Sequence, residues 1–275
     1  MATNNASAAG ATGDRQRRDG QPAFVLHTYP FRETSLVIEV FTQNFGRVAL
    51  VARGARRPRS ALRGVLLAFQ PLLLSWAGKS ELRTLHKAEW RGGLPQLKGS
   101  ALLCGFYLNE LMLKLLPRDD PHEQLYQTYY RSLHALCNGG GHAVTLRRFE
   151  QQMLRELGYA LPLERDVASG EAIHAEASYQ FVIGRGPVRS TRSTGSTRGT
   201  ESILNESIPA YGSNGIAAEN RLELAGQTLL DMARDDYSNP VTMQQSKALM
   251  RVLINHYLGS QVLNTRQLLK DLQQL

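Results

Sequence analysis

Hydrophobic and polar positions alternate along the chain between Pro22 and Trp90. The region contains five short segments rich in Val, Leu, Ile, Phe and Thr, separated by turn residues: AFVLHTY, TSLVIEVFT, GRVALVAR, QPLLLSW and ELRTLHKAEW. A period of two is typical of strands with one buried face, so five strands are predicted. The connection QNFG contains Asn44 and Gly46, which accept a positive φ, and it predicts a hairpin between the second and third strands.

Five strands in about 70 residues leave no room for crossover helices, which predicts a small antiparallel barrel or sandwich. The number and length of the strands fit a five-stranded barrel of the oligonucleotide/oligosaccharide-binding (OB) type. Spacing alone fits a barrel of the SH3 type nearly as well.

The hydrophobic period becomes helical after Pro95. The first predicted helix ends at Pro117, the second has Asp120 as its N-cap with Pro121 in the first turn, and the third is closed by Gly158 at C′. Three more helices are predicted in AAENRLELAGQTLLDMARDD, TMQQSKALMRVLINHYLG and TRQLLKDLQQL. The predicted class is therefore α+β, with an N-terminal five-stranded antiparallel OB-type barrel followed by a mainly α-helical domain.

Two segments carry no apolar pattern. Residues 1–20 are small, polar and charged, and are interpreted as a disordered tail before a barrel domain at 21–91. The helical domain, 92–275, is interrupted by Gly/Ser/Thr/Arg-rich sequence that predicts a flexible insertion at about 185–215. No stretch approaches the roughly 18 apolar residues of a membrane span. Cys104 and Cys137 lie in helix-like segments, which is typical of buried thiols in a reducing cytoplasm.

The net charge of +8 is concentrated in the predicted barrel. Residues 21–91 contain eleven Lys/Arg and four Asp/Glu, whereas residues 92–275 contain eighteen of each. A local surplus of cations favours a polyanionic partner, because binding a polyanion releases condensed counterions.

The densest part of this charge is VARGARRPRSALRG, residues 51–64, which has five arginines and no acid. Gly54 permits a bend after the third strand and Pro58 interrupts a helix, so the arginines are predicted on a strand end and the connection after it. Such connections lie at the mouth of a barrel, and guanidinium groups bind phosphate with paired hydrogen bonds. The candidate phosphate contacts are Arg53, Arg56, Arg57, Arg59 and Arg63.

Exposed rings near these arginines are candidates for stacking on unpaired bases. Tyr29 and Phe31 flank Pro30 in a predicted loop and are the preferred candidates. Phe41, Phe69 and Trp76 occupy positions typical of a strand core and are interpreted as packing residues.

Several segments, in this order, resemble the RecO family of bacterial DNA repair proteins. They are VLHTYPFRETSL, GRVALVARGARRPRSALRG, FQPLLLSW, YLNELMLKLL, LRRFEQQMLRELGY and HYLGSQVLNTRQLL. The resemblance covers about residues 22–183 and 218–275 and is absent from the tail and the insertion. It implies an OB-type barrel joined to a helical domain, and a recombination mediator that is not an enzyme and needs no cofactor.

The resemblance also implies partners. Members bind single- and double-stranded DNA, anneal complementary strands and, with RecR, help to load the recombinase onto DNA coated by single-strand-binding protein (SSB). The basic barrel residues, Arg47 included, are then the expected DNA contacts, in a cytoplasmic protein associated with the nucleoid. Some members hold zinc with four cysteines after the third helix; this chain has no cysteine there, and a lone His174 cannot form such a site.

The family further binds the acidic, Phe-ending C-terminal tail of SSB through its helical domain. In LRRFE, the position matching the family's tail-binding arginine is Arg147, and Arg148 is the alternative. A guanidinium beside an apolar pocket suits a terminal carboxylate.

The sequence contains none of the GxxxxGK[ST], GxSxG or HExxH patterns of common enzymes. The leading hypothesis is therefore a DNA-binding and annealing mediator. An RNA-binding barrel protein of translation or RNA processing, and an adaptor whose basic barrel docks acidic proteins, remain as alternatives.

Overall fold

The computed structural model describes residues 17–190 and 221–273. Most of the predicted tail and of the predicted insertion lies outside these described residues. Two short parts lie inside and are strands: residues 17–20 begin the first strand, and residues 186–189 form a strand in a second sheet. Residues 17–20 were misjudged because their strand partners, around Trp76, are distant in sequence. Residues 186–189 were misjudged because composition groups them with the Gly/Ser/Thr/Arg-rich stretch, although their partners at 179–182 come just before them.

Eight strands and seven helices occur in the described residues. The strands are β1 (Arg17–Phe31), β2 (Ser35–Thr42), β3 (Gly46–Ala52), β4 (Leu72–Ala77), β5 (Leu82–Trp90), β6 (Ser178–Val182), β7 (Gly186–Arg189) and β8 (Arg221–Ala225). The helices are α1 (Leu62–Val65), α2 (Gly99–Leu115), α3 (Glu123–Cys137), α4 (His142–Glu156), α5 (Gly226–Ala233), α6 (Pro240–Leu258) and α7 (Asn264–Gln273). None of the described helices combines the length and the apolar character that a membrane crossing needs.

The five N-terminal strands form a closed barrel in the order β1-β2-β3-β5-β4, with β4 returning to pair with β1. The prediction of an entirely antiparallel barrel is wrong at one seam, because β3 and β5 pair in parallel. Both strands run from the same end of the barrel since α1 and β4 carry the chain back between them. The predicted hairpin is confirmed, with Thr42 opposite Gly46, and only Gly46 takes a positive φ (62°).

The barrel interior is a single apolar core whose members alternate along the strands. Its buried residues include Val25, Ile38, Val40, Leu50, Leu72, Leu74 and Trp76. Strand β2 is buried on its outer face as well, because Phe41 packs against Tyr126 of α3 at a ring distance of 5.7 Å. Phe24 on β1 contacts Tyr129 at 5.1 Å. The outer wall of β1 and β2 is therefore covered by helices.

Polar contacts join the barrel to the same helices. The side chain of Asn109 on α2 donates to the carbonyl of Leu26 at 2.9 Å and accepts from the hydroxyl of Tyr129. The buried carboxylate of Glu39 pairs with Arg118 and Arg47. Within the described residues, the barrel, α2–α4 and residues 257–273 form one compact unit, so the packing does not divide at the predicted boundary after residue 91.

The start of α3 differs from the prediction. The helix begins at Glu123 with His122 as N-cap, and the side chain of Asp120 does not cap it. Asp120 instead lies against the β2–β3 hairpin, where a Cβ on Gly46 would come within 1.9 Å of its carbonyl oxygen. Asp120, which the sequence predicts as the N-cap, therefore lies against the hairpin and before the start of the helix.

The second compact unit comprises residues 159–190 and 221–256. It contains a three-stranded sheet in the order β7-β6-β8, which the sequence did not predict. Residues 221–225 were predicted as helix but form β8. The buried Asp166 accepts hydrogen bonds from the backbone of Ala168, Ser169 and Arg189, which fixes the strand β7.

Candidate nucleic-acid interface

The arginine-rich connection between β3 and β4 is a series of tight turns anchored at intervals in the barrel. Gly54 has a φ of 67°, and the amide of Arg57 donates to its carbonyl at 3.1 Å. Ala55 and Leu66 are only 1% and 8% exposed and belong to the barrel core. The connection therefore holds a defined position while its arginines project between the anchors.

The five predicted arginines of this connection are brought together at one end of the barrel. All five are exposed: Arg53, Arg56, Arg57, Arg59 and Arg63. Among the described residues, no carboxylate forms an ion pair with any of them. Unpaired guanidinium groups keep their donors available for an external anion. We call this group, together with Arg32 described next, the arginine rim.

Arg32 belongs to the rim but was not identified from the sequence. It lies in the β1–β2 turn with a φ of 51°, and its guanidinium lies 5.2 Å from the ring centre of Phe31. The turn contacts the arginine connection directly, because the amide of Arg56 donates to Thr34 at 2.8 Å and its side chain donates to the carbonyl of Arg32. The sequence predicts a loop between the first two strands, but only the pairing of Leu36 with Ala52 places it beside the end of β3.

Tyr29 and Phe31 lie at the same end of the barrel as the rim. Both belong to β1, opposite Val37 and Ser35, and not to a loop as predicted, because β2 pairs with β1 along its whole terminal part. Tyr29 is 45% exposed and its ring makes an edge contact with His27 at 4.5 Å. Phe31 is half-buried beneath Arg32. Tyr29 thus offers the more open ring.

A cavity of about 390 Å³ lies under the rim. The guanidinium-bearing residues Arg56 and Arg63 line it together with Thr28, Leu36, Ala55, Leu62 and Leu66. Two cations beside a few aliphatic side chains accommodate a group that is anionic on one side and less polar on the other. Phosphate with its attached sugar has this character.

Arg47 does not join the rim. It lies near the hairpin end of β3, opposite Phe41, and its side chain is 15% exposed. Its guanidinium donates to Glu39 at 3.2 Å and to the carbonyl of Leu116 at 3.1 Å. Since these donors are already engaged within the fold, Arg47 is excluded from the interface proposed below.

The two arginines predicted to bind a protein tail have opposite environments. Arg147 is buried and pairs with the fully buried Glu150 at 2.8 Å, while Arg148 is exposed. Glu150 also accepts from the hydroxyl of Tyr107 at 2.6 Å. Burial raises the pKa of Glu150, and the nearby cation Arg147 acts in the opposite direction.

The described residues contain no group of three or more His, Cys, Asp and Glu side chains arranged to hold a metal ion. The exposed guanidinium groups of the rim can bind an anion through charge and hydrogen bonds. Such a surface neutralises phosphate charge without selecting bases.

Comparisons with known proteins match nearly the whole chain to one protein family. The family model described as the N-terminal part of recombination protein O matches residues 20–94, and that of the C-terminal part matches residues 96–206. The chain is 55% identical over 262 residues to DNA repair protein RecO of Nitrosospira multiformis, covering 95% of this chain and 99% of that protein. It is 50% identical over 261 residues to proteins of the same name from an Azoarcus species and Aromatoleum aromaticum, with the same coverage.

Proposed function

Because the chain belongs to the RecO family, we propose that it is a DNA repair protein that binds single- and double-stranded DNA through the arginine rim. It anneals complementary strands and, with RecR, helps to load the recombinase onto strands coated by SSB, acting in the cytoplasm. The observation that carries the proposal is the gathering, at one end of a closed barrel, of exposed arginines that pair with no carboxylate of the described residues.

The rim supports annealing for a physical reason. Two complementary strands repel each other through their phosphates, so their approach is faster when cations neutralise part of that charge. Annealing requires no covalent step, only phosphate neutralisation with the base edges left accessible. Exposed guanidinium groups on a connection anchored by Ala55 and Leu66 can neutralise phosphate charge while the base edges stay accessible.

The salt dependence of binding tests the rim. If Arg53, Arg56, Arg57, Arg59 and Arg63 contact about five phosphates, the logarithm of the affinity for single strands falls against the logarithm of salt concentration with a slope of about −3.5. This corresponds to a loss of roughly a hundredfold between 50 and 200 mM salt. Replacing all five by alanine should make the slope shallower by about 3.5 and slow the annealing of complementary oligonucleotides.

A matched control removes the same charge elsewhere. Arg131, Arg185, Arg234, Lys247 and Arg251 are exposed and lie outside the barrel. Replacing these five by alanine should leave both slope and annealing rate nearly unchanged. Equal losses of affinity and annealing rate in the two variants would mean that net charge, not the rim, governs binding. Tighter binding to RNA than to DNA of the same sequence would favour the RNA-binding alternative.

A further inference from the structure

A second feature at this end of the barrel is a cleft that contains an exposed tryptophan. Trp90, the last residue of β5, is 63% exposed. It borders a cleft of about 410 Å³ together with Val65, Leu67, Gln70, Leu94 and Gln96. Leu67 is itself 43% exposed, so the cleft presents an indole ring and an aliphatic side chain to solvent.

The indole is held by its polar edge. Its Nε1–H donates to Oε1 of Gln70 at 3.3 Å, and Gln70 is 8% exposed. The backbone of Trp90 is fixed by its pairing with Leu72 of β4. Because the Nε1–H, the one polar group of the ring, already has a hydrogen-bond partner, the ring can interact with a ligand through its apolar π surface.

The cleft and the arginine rim lie on the two sides of α1. Leu62, Arg63 and Leu66 line the cavity under the rim, whereas Gly64, Val65 and Leu67 line the Trp90 cleft. The segment 62–67 therefore contributes side chains to both surfaces, which are neighbours along the same connection. Arg91, which follows Trp90 directly, is also exposed.

We propose that the Trp90 cleft is a stacking subsite for an unpaired nucleobase of the strand whose phosphates lie on the arginine rim. The inference rests on the function proposed above and extends it to a base-binding residue. No carboxylate of the described residues lines the cleft, two of its lining residues, Gly64 and Trp90, directly adjoin Arg63 and Arg91 in the chain, and it offers an aromatic surface. This combination suits a nucleotide, which needs a cation for its phosphate and a ring for its base.

The subsite distinguishes single strands from duplex. Every base has a π face, so stacking on Trp90 tolerates any sequence. In a duplex both faces of each base are already occupied by neighbouring bases, and engagement of the cleft would require unstacking. The rim therefore binds both forms, whereas the cleft adds affinity only for single strands.

Binding measurements on the full chain test this assignment with an oligothymidine strand and a duplex of equal length. Trp90→Ala should weaken single-strand binding roughly 5- to 100-fold and leave duplex affinity within about twofold. Trp90→Phe keeps an aromatic ring and should retain most of the single-strand affinity. Melting temperatures of both variants show whether the fold is intact.

Fluorescence of the unaltered chain gives a second readout that needs no substitution. The chain has two tryptophans, and Trp76 is only 1% exposed in the barrel core. Quenching by oligothymidine should therefore arise from Trp90, be weak with duplex, and be lost in Trp90→Phe. The five-arginine variant, at concentrations that restore binding, should still show the quenching.

Three results would overturn the subsite: normal single-strand affinity in Trp90→Ala, equal losses for single strand and duplex, or no quenching on saturation with oligothymidine. Quenching by an acidic peptide but not by oligothymidine would assign the cleft to a protein partner instead. Failure of the unaltered chain to bind any nucleic acid would refute the proposed function itself and is distinguishable, since no variant is needed to see it.

Discussion

Adjacent arginines on α4 show how burial separates residues that look equivalent in sequence. The guanidinium of Arg147 faces Glu150 inside the helices, and its Nε has no hydrogen-bond partner among the described residues. A buried carboxylate is tolerated here because a cation and the Tyr107 hydroxyl lie beside it. Arg148 is exposed on the same helix and can be approached by another molecule.

Arg147→Ala should therefore destabilise the protein by about 3–5 kcal/mol, because it leaves the Glu150 carboxylate buried without its cation. Arg148→Ala should change stability by less than about 0.5 kcal/mol and should weaken binding of an acidic, Phe-ending peptide. Thermal melting and peptide titration measure the two effects separately. If Arg147→Lys preserves the melting temperature yet abolishes peptide binding, the tail contact belongs to Arg147.

Only some residues of the arginine rim and the Trp90 cleft could be predicted from the sequence. The charge run identified the five arginines of the connection because no acid lies among them. Arg32 was missed because its membership depends on strand pairing. The engagement of Arg47 depends on the pairing of β2 with β3, which brings Glu39 beside it, and on the end of α2, where Leu116 is distant in sequence. Trp90 was not singled out, since the strand pattern alone does not tell which terminal side chain stays uncovered.

At the scale of elements, the C-terminal helix α7 is fixed by one carboxylate of α2. Glu110 accepts hydrogen bonds from the amides of Asn264 at 2.7 Å and Thr265 at 2.9 Å, and from the Thr265 hydroxyl at 2.6 Å. Lys114 pairs with the same carboxylate at 3.1 Å. A negative charge at a helix N-terminus satisfies free amides and complements the helix dipole.

The ionisation of Glu110 should control the attachment of α7. Burial alone raises the pKa of this carboxyl, but the donors from Thr265, Asn264 and Lys114 outweigh it, and the net effect is a lowered pKa. Its contribution to stability is thus present above the unfolded-state pKa of about 4.3 and is lost as pH falls through the lower folded-state value.

Glu110→Gln should lower the melting temperature at about pH 7 and increase amide exchange in α7, and the difference from the unaltered chain should shrink toward about pH 3. Comparing the two proteins cancels the opposite contribution of Glu150, whose raised pKa favours folding at low pH. If the difference in melting temperature between the two proteins stays constant with pH, the contact of Glu110 with α7 does not depend on the charge of the carboxylate.

Element prediction succeeded mostly where the pattern was local; β7 is the exception, because its composition groups it with the insertion although β6 lies just before it. The β2–β3 hairpin follows from period-two segments around a turn that ends in Gly46, and Gly158 closes α4 with a φ of 84° as predicted. Residues 221–225 were joined to the helix after them, although RLELA alternates, because their partner β6 lies some 40 residues away. The parallel seam between β3 and β5 likewise depends on distant residues.

At the scale of the whole molecule, the barrel depends on the helices that cover its outer wall. Phe24 and Phe41 point away from the barrel core and are completely buried against α3. Glu39 is 3% exposed and has its cations in Arg47 and Arg118. A barrel separated from these helices would expose the rings of Phe24 and Phe41 to solvent. It would also lose Arg118, one of the two cations that pair with the buried Glu39.

A fragment ending at Leu94 should therefore melt less cooperatively and at a lower temperature than the full chain, and should bind a dye specific for apolar surface. Circular dichroism and dye fluorescence measure these properties. The doubly substituted fragment Phe24→Ser, Phe41→Ser should show less dye binding if the exposed wall is responsible. A fragment that melts like the full chain would mean that the wall contributes little to folding.

The arginine connection has a consequence for how this molecule can change over generations. Its anchors, Ala55 and Leu66, face inward, and the cations between them touch little of the core. Substitutions of those arginines can change the affinity for a polyanion with little effect on the stability of the barrel. Selection can therefore adjust affinity and stability nearly independently.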